Sequence, residues 1–191
     1  HLGGGACSLA RYCADVYPNS RNTVVELDAK LAEYVREWFD IPKSPRVKIR
    51  VGDAGTVTRS FAPASRDVVI RDVFAVDKTP AELTGVDFVR TVDHSLAPGG
   101  LYILNCGDGP SLDGARAEVA ALFEVFEQVC LVADAAMLKG RRRGNIIIAA
   151  SHSPLPAAGS AEAAAISRTL MGGGVPAQYR DSAQTRQFAR L

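Results

Sequence analysis

The chain has 191 residues, 47% of them hydrophobic and 23% charged, with 22 basic and 21 acidic side chains giving a net charge of +1. That length can bury a sizeable core, and the balanced charge removes the electrostatic case for a nucleic acid or an acidic lipid as partner. No stretch approaches about 18 uninterrupted apolar residues, so no membrane span is expected.

The chain opens HLGGGACSLARY, a glycine-rich loop at Gly3–Gly5 with only His1 and Leu2 ahead of it and a helix predicted from Ala6. Loops of this kind follow a buried strand. That strand is expected to be the central one of a sheet, so the sequence reads as a fragment of a longer chain with its first central strand truncated. NTVVEL (22–27) is a short apolar run ending in an acid, a strand. Residues 28–41 carry apolar side chains at Leu31, Tyr34, Val35, Trp38 and Phe39, a helical spacing with Asp28 as N-cap and Pro42 as stop. Trp38 and Phe39 are expected in the core.

RVKIRVGD (46–53) alternates Val47, Ile49 and Val51 and reads as a strand; RDVVIRDVF (66–74) is another. Residues 79–96 predict a helix with Thr79 as N-cap and Pro80 in its first turn. PGG (98–100) is a turn, LYILNC (101–106) a strand, and 111–126 a helix. EQVCLVAD and RGNIIIAAS read as an antiparallel pair, with Arg141, Arg142 and Arg143 at a solvated hairpin tip. A short helix is expected near 160–171, stopped by the second GGG (172–174), and no order is legible in the tail.

Strands alternating with helices predict an α/β fold: a Rossmann-like, mostly parallel sheet with right-handed crossovers, ending in an antiparallel hairpin. The four cysteines match no paired zinc spacing and read as buried free thiols of a cytoplasmic protein. The three histidines lie far apart, and no metal site is expected.

The glycines sit where a ligand can approach backbone at a helix start. The pattern G-x-G-x-x-S is imperfect for a dinucleotide loop, and a tight turn with no ligand also explains it. Other strand ends add to it. Glu26, 21 residues after Gly5, ends the next strand, where a carboxylate can accept both hydroxyls of a ribose. Asp53 ends the third strand and can accept from an adenine amino group. Asp72 ends the fourth, beside the glycine loop. Asn105 and Asp108 follow the next strand and are candidates for the substrate side, and Tyr102 is ambiguous. Four strand ends delivering polar groups to one edge point to an adenosine ligand. A nicotinamide dinucleotide and an S-adenosyl compound are the two choices, and the terminal antiparallel hairpin favours the second.

HLGGGACSLARY, VVELDAKL, VKIRVGDAG, DVVIRDVF and LAPGGLYILN run in the order found in spermidine synthases, and the chain resembles the spermidine synthase-like proteins of actinobacteria over about residues 1–150. The resemblance implies a class I methyltransferase fold, with residues 1–150 as the S-adenosyl-ligand-binding transferase domain; the change of composition beyond 151 marks 151–191 as a C-terminal helix and tail packed on or extending from it. The resemblance also implies aminopropyl transfer from decarboxylated S-adenosylmethionine to an amine such as putrescine, no tightly bound cofactor, and a homodimer. By the same resemblance Gly3 and Gly5 pass the sulfonium tail, with Gly4 between them in the same cofactor-binding loop, Glu26 holds the ribose, Asp53 and Ala54 read the adenine, and Asp72 takes a proton from the attacking amine. Two positions depart from the family. Ala6 and Ala75 stand where polyamine-making members carry aspartates, with Asp77 two residues beyond the second. A dicationic diamine needs carboxylates to replace its lost hydration. The alternatives are a methyltransferase using S-adenosylmethionine on another acceptor, and a non-catalytic homologue.

Overall fold

The computed structural model describes residues 1–76 and 78–191; Asp77, named above, lies outside the described residues. Its strands are β1 (Asn22–Glu26), β2 (Val47–Val51), β3 (Arg66–Arg71), β4 (Leu96–Asp108), β5 (Gln128–Ala133), β6 (Gly144–Ser151) and β7 (Gln178–Arg180). The helices are α1 (Ser8–Val16), α2 (Ala29–Trp38), α3 (Ala54–Arg59), α4 (Gly85–Ser95), α5 (Asp113–Phe123), α6 (Ala135–Leu138), α7 (Ala161–Met171) and α8 (Ser182–Ala189).

β1 pairs in parallel with β2, and β3-β4-β6-β5-β7 form the larger array. Leu2 joins the two, bridging in parallel to Val25 on one side and Arg71 on the other. The central position expected ahead of the glycine loop is held by His1 and Leu2: the His1 carbonyl accepts Val25 N–H (2.8 Å), Leu2 N–H donates to the Ile70 carbonyl (2.7 Å), and the Leu2 carbonyl accepts Asp72 N–H (2.8 Å). β3 and β4 are parallel, and β6 runs antiparallel to both β4 and β5. The expected antiparallel pair is present, and its second strand is inserted between β4 and the first.

Alternation decides which side of each strand is covered. Tyr102, Leu104 and Cys106 of β4 and Ile146 and Ile148 of β6 are buried, while Ile147 between them is exposed. These side chains join Val89 and Val92 of α4 and Val119 and Leu122 of α5 in the main core. A smaller core lies under α1 and α2: Cys7, Ala10, Ala14, Val24, Val35, Ile41 and Val47.

Several sequence expectations are corrected. The helix expected over 79–96 is a 3₁₀ turn at Ala81–Leu83 followed by α4, because Thr84 is extended and Gly85 has φ of +79°. Its cap is Thr84, not Thr79. α1 begins at Ser8 rather than Ala6, with Cys7 left-handed at its N-cap. Residues 98–100 are not a separate turn but lie within β4, in a stretch where its register against β3 shifts. Trp38 is 61% exposed, so it is a surface residue stacked on Tyr34 rather than core; Phe39, also exposed, lies under the Arg11 guanidinium. The tail is ordered: β7 extends the sheet edge on β5, and a capping box between Asp181 and Gln184 starts α8.

Candidate active site

The glycine loop hangs between two strand ends. Gly3 N–H donates to the Val25 carbonyl at 3.0 Å. Gly3 has φ of +92°, and a Cβ there would stand 2.1 Å from the carbonyl oxygen of Asp72. Only glycine lets the loop pass this close to the end of β3.

Glu26 closes β1 and reaches back to the loop. Its Oε2 accepts the N–H groups of Gly4 and Gly5, each at 3.0 Å, and its Oε1 accepts that of Asp28 at 2.9 Å. A carboxylate offers roughly four lone-pair sites, so it retains about one for a ligand hydroxyl. Asp28 caps α2, accepting from Lys30 and Leu31 N–H. Asp53 caps α3 by accepting Thr56 N–H at 2.7 Å; hydrogen bonds from Thr56 hold its carboxyl below the usual aspartate range. Ala54, the first residue of α3, is buried beside it.

Asp72 follows β3. Its backbone is fixed by the Leu2 carbonyl, and its Oδ1 accepts the side-chain N–H of Asn105 at 3.0 Å. Gly3, Gly4, Gly5, Glu26, Asp53, Ala54 and Asp72 all line one cleft of about 740 Å³, a volume suited to a small-molecule ligand. The lining contains five carboxylates (Glu26, Asp28, Asp53, Asp72 and Glu82) and neither lysine nor arginine among the described residues. Such a cleft favours a cationic ligand.

The remaining candidates separate. Asp108 accepts from Gly109 and Ala115 N–H at the start of α5 and does not line the cleft. Tyr102 is wholly buried, facing Arg71 and Glu118, and burial pushes its phenol up. Ala6 lines the cleft, and Ala75 is exposed in a short bridge with Lys78. No group of three or more metal-ligating side chains occurs among the described residues.

Sequence reasoning missed one wall of the cleft. Pro80, Glu82 and Leu83 line it, and the Leu83 side chain comes within 3.3 Å of where a Cβ on Gly55 would stand. Behind that wall Arg71 and Glu118 form a buried, two-pronged ion pair. Their positions in a strand and a helix carried no local signal of that contact.

A Gly-rich loop after the central strand, acids at successive strand ends and a sheet closed by a reversed strand define the class I S-adenosyl transferase fold. No family model matches the chain. The crystal structure of a probable spermidine synthase from Corynebacterium glutamicum ATCC 13032 superposes with a TM-score of 0.96 at 61% identity, covering 99% of this chain and 68% of that one. The chain belongs to the spermidine synthase-like family. A mouse protein named eEF1A lysine and N-terminal methyltransferase is 32% identical over 136 residues, or 65% of this chain and 19% of that protein. A probable polyamine aminopropyl transferase of Bifidobacterium longum is 28% identical over 130 residues, or 64% and 28%. The chain thus spans about a fifth to a quarter of the length of these curated relatives.

Proposed function

We propose that the protein is an aminopropyltransferase that takes decarboxylated S-adenosylmethionine as co-substrate and a small diamine such as putrescine as acceptor. The observation that carries this reading is Asp72, backbone-fixed beside the glycine loop in a cleft with five carboxylates and no lysine or arginine among its described lining residues. The donor is a sulfonium and the acceptor an ammonium, and both are drawn to such a cleft. An intact S-adenosylmethionine also carries a carboxylate, which finds no lysine or arginine among the described lining residues. That favours the decarboxylated donor.

In this reading Glu26 takes the ribose, Asp53 and Ala54 take the adenine, and Gly3, Gly4 and Gly5 leave room for the sulfonium tail. Asp72 accepts a proton from the acceptor ammonium. The freed nitrogen lone pair attacks the methylene carbon bonded to sulfur. The C–S bond breaks, its electrons return to sulfur, and methylthioadenosine leaves. The sulfonium is already an activated leaving group, so holding the two reactants in line supplies most of the remaining acceleration.

Methyl transfer from S-adenosylmethionine is the second reading, favoured by the likeness to the mouse methyltransferase and by Ala6 and Ala75. Calorimetric titration separates the two. The donors are decarboxylated S-adenosylmethionine, S-adenosylmethionine and methylthioadenosine, each with and without putrescine. Preference for the decarboxylated donor, tightened by putrescine, is the expected result. Preference for the intact donor moves the assignment to methyl transfer, and no binding by folded protein removes both. A cytoplasmic homodimer belongs to the same reading and is checked by sedimentation and fractionation.

A further inference from the structure

Arg71 is 0% exposed and Glu118 5% exposed. Arg71 donates Nη2 to Glu118 Oε1 (2.5 Å) and Nη1 to Glu118 Oε2 (3.1 Å). Burying two charges gives up hydration that their attraction need not restore, and apolar side chains of similar volume commonly serve stability as well or better. The pair therefore calls for another reason. A third hydrogen bond supplies one. Arg71 Nη1 also donates to the Leu83 carbonyl at 2.5 Å.

Leu83 ends the 3₁₀ turn that forms the missed wall of the cleft. Its side chain packs toward Gly55 at the start of α3, next to Asp53 and Ala54. Arg71 itself is the residue before Asp72 and bridges to Leu2. One guanidinium, held in orientation by Glu118 of α5, thus ties the end of β3 to the wall that faces the start of α3.

We propose that Arg71 and Glu118 are positioning residues that hold the Pro80–Leu83 wall in place and so shape the end of the cleft at Asp53 and Ala54. The effect on a nucleoside rests on the reading given under Proposed function; the effect on the wall does not. The planar fork can serve a carboxylate and a carbonyl at once, whereas a lysine ammonium has no such fixed geometry.

The test uses two variants of the protein: the apolar pair Arg71→Met with Glu118→Leu, and Arg71→Lys, which keeps the charge balanced. Thermal unfolding establishes that each is folded. Hydrogen exchange is then read at Leu83 and Thr84, whose N–H groups bond within the turn to Pro80 and Ala81. Methylthioadenosine affinity is read by calorimetry. The expected result is faster exchange at both amides and affinity about tenfold to a hundredfold weaker, with the melting temperature of the apolar pair equal to or above that of the parent. Folded variants with parental exchange and parental affinity overturn the proposal. If the parent binds no methylthioadenosine, the nucleoside reading fails, and the exchange rates alone decide whether the pair holds the wall. Should the apolar pair not fold, Arg71→Lys carries both readouts.

Discussion

The carbonyl oxygen of Asp72 lies 2.1 Å from where a Cβ on Gly3 would stand. The residue that opens the loop and the candidate proton acceptor are thus packed backbone against backbone. Any side chain at position 3 must push Asp72 out of place, because a main-chain carbonyl at the end of a paired strand cannot swing aside.

Gly3→Ala is therefore expected to lose at least about 2 kcal/mol of stability, from an unfavourable φ together with overpacking. Gly5 is the control. Its φ is +46°, and a Cβ there meets nothing within 4 Å. Gly5→Ala is expected to cost only about 1–2 kcal/mol, for the left-handed backbone alone. Urea denaturation of the two variants measures the difference.

Asp72→Asn keeps the size of the side chain and removes its basicity. If Asp72 takes the proton from the acceptor, turnover falls by about 10²–10⁴, while calorimetric affinity for the adenosyl donor stays within about twofold of the parent. An equal loss of donor affinity would assign Asp72 to ligand binding instead.

Glu26→Gln leaves one acceptor oxygen where two now hold Gly4, Gly5 and Asp28. Hydrogen bonds to a charged group contribute about 1.5–3 kcal/mol each when fully formed, less at this half-exposed site. The variant is expected to stay folded, to lose hydrogen-exchange protection at Gly4 and Gly5, and to bind methylthioadenosine at least about tenfold more weakly.

His152 sits between two carboxylates, with Nε2 at 2.8 Å from Asp93 and Nδ1 against Glu127. Partial burial pushes its pKa down, but the hydrogen bonds to Glu127 and Asp93 outweigh that and raise it overall. The hydrogen bond from His152 lowers Glu127 below the ordinary glutamate value. The histidine's contribution is complete below its unfolded pKa and is lost as pH rises through its higher folded value. The glutamate's is present above its unfolded pKa and lost as pH falls. Between about 4.5 and 6.5 both are present. The melting temperature of the parent minus that of His152→Gln is expected to peak near pH 5–6 and to shrink above about pH 7 and in high salt.

The cysteines give a chemical check on the packing. Cys7, Cys106 and Cys130 are buried, and Cys13 is partly exposed. Burial, with Glu118 and Asp108 adding to it, pushes the Cys106 thiol up to about 12. A thiol-specific reagent at pH 8 is expected to react quickly with Cys13 alone, and with all four after unfolding.

The sequence determined what is local. Strand ends, the Asp28 cap, the glycine loop and the acids at 26, 53 and 72 are readable because period and turn chemistry act over a few residues. The order of those elements also implied one crevice, since right-handed crossovers bring successive strand ends to one edge. Three features were decided only by the tertiary structure. β6 lies between β4 and β5 because a strand's neighbours depend on which faces remain to be covered. Trp38 keeps a helical core spacing yet stays on the surface, because no described element packs over the outer face of α2. The Arg71–Glu118 pair joins residues 47 positions apart, and a buried charge reveals its partner only once the chain has folded around both.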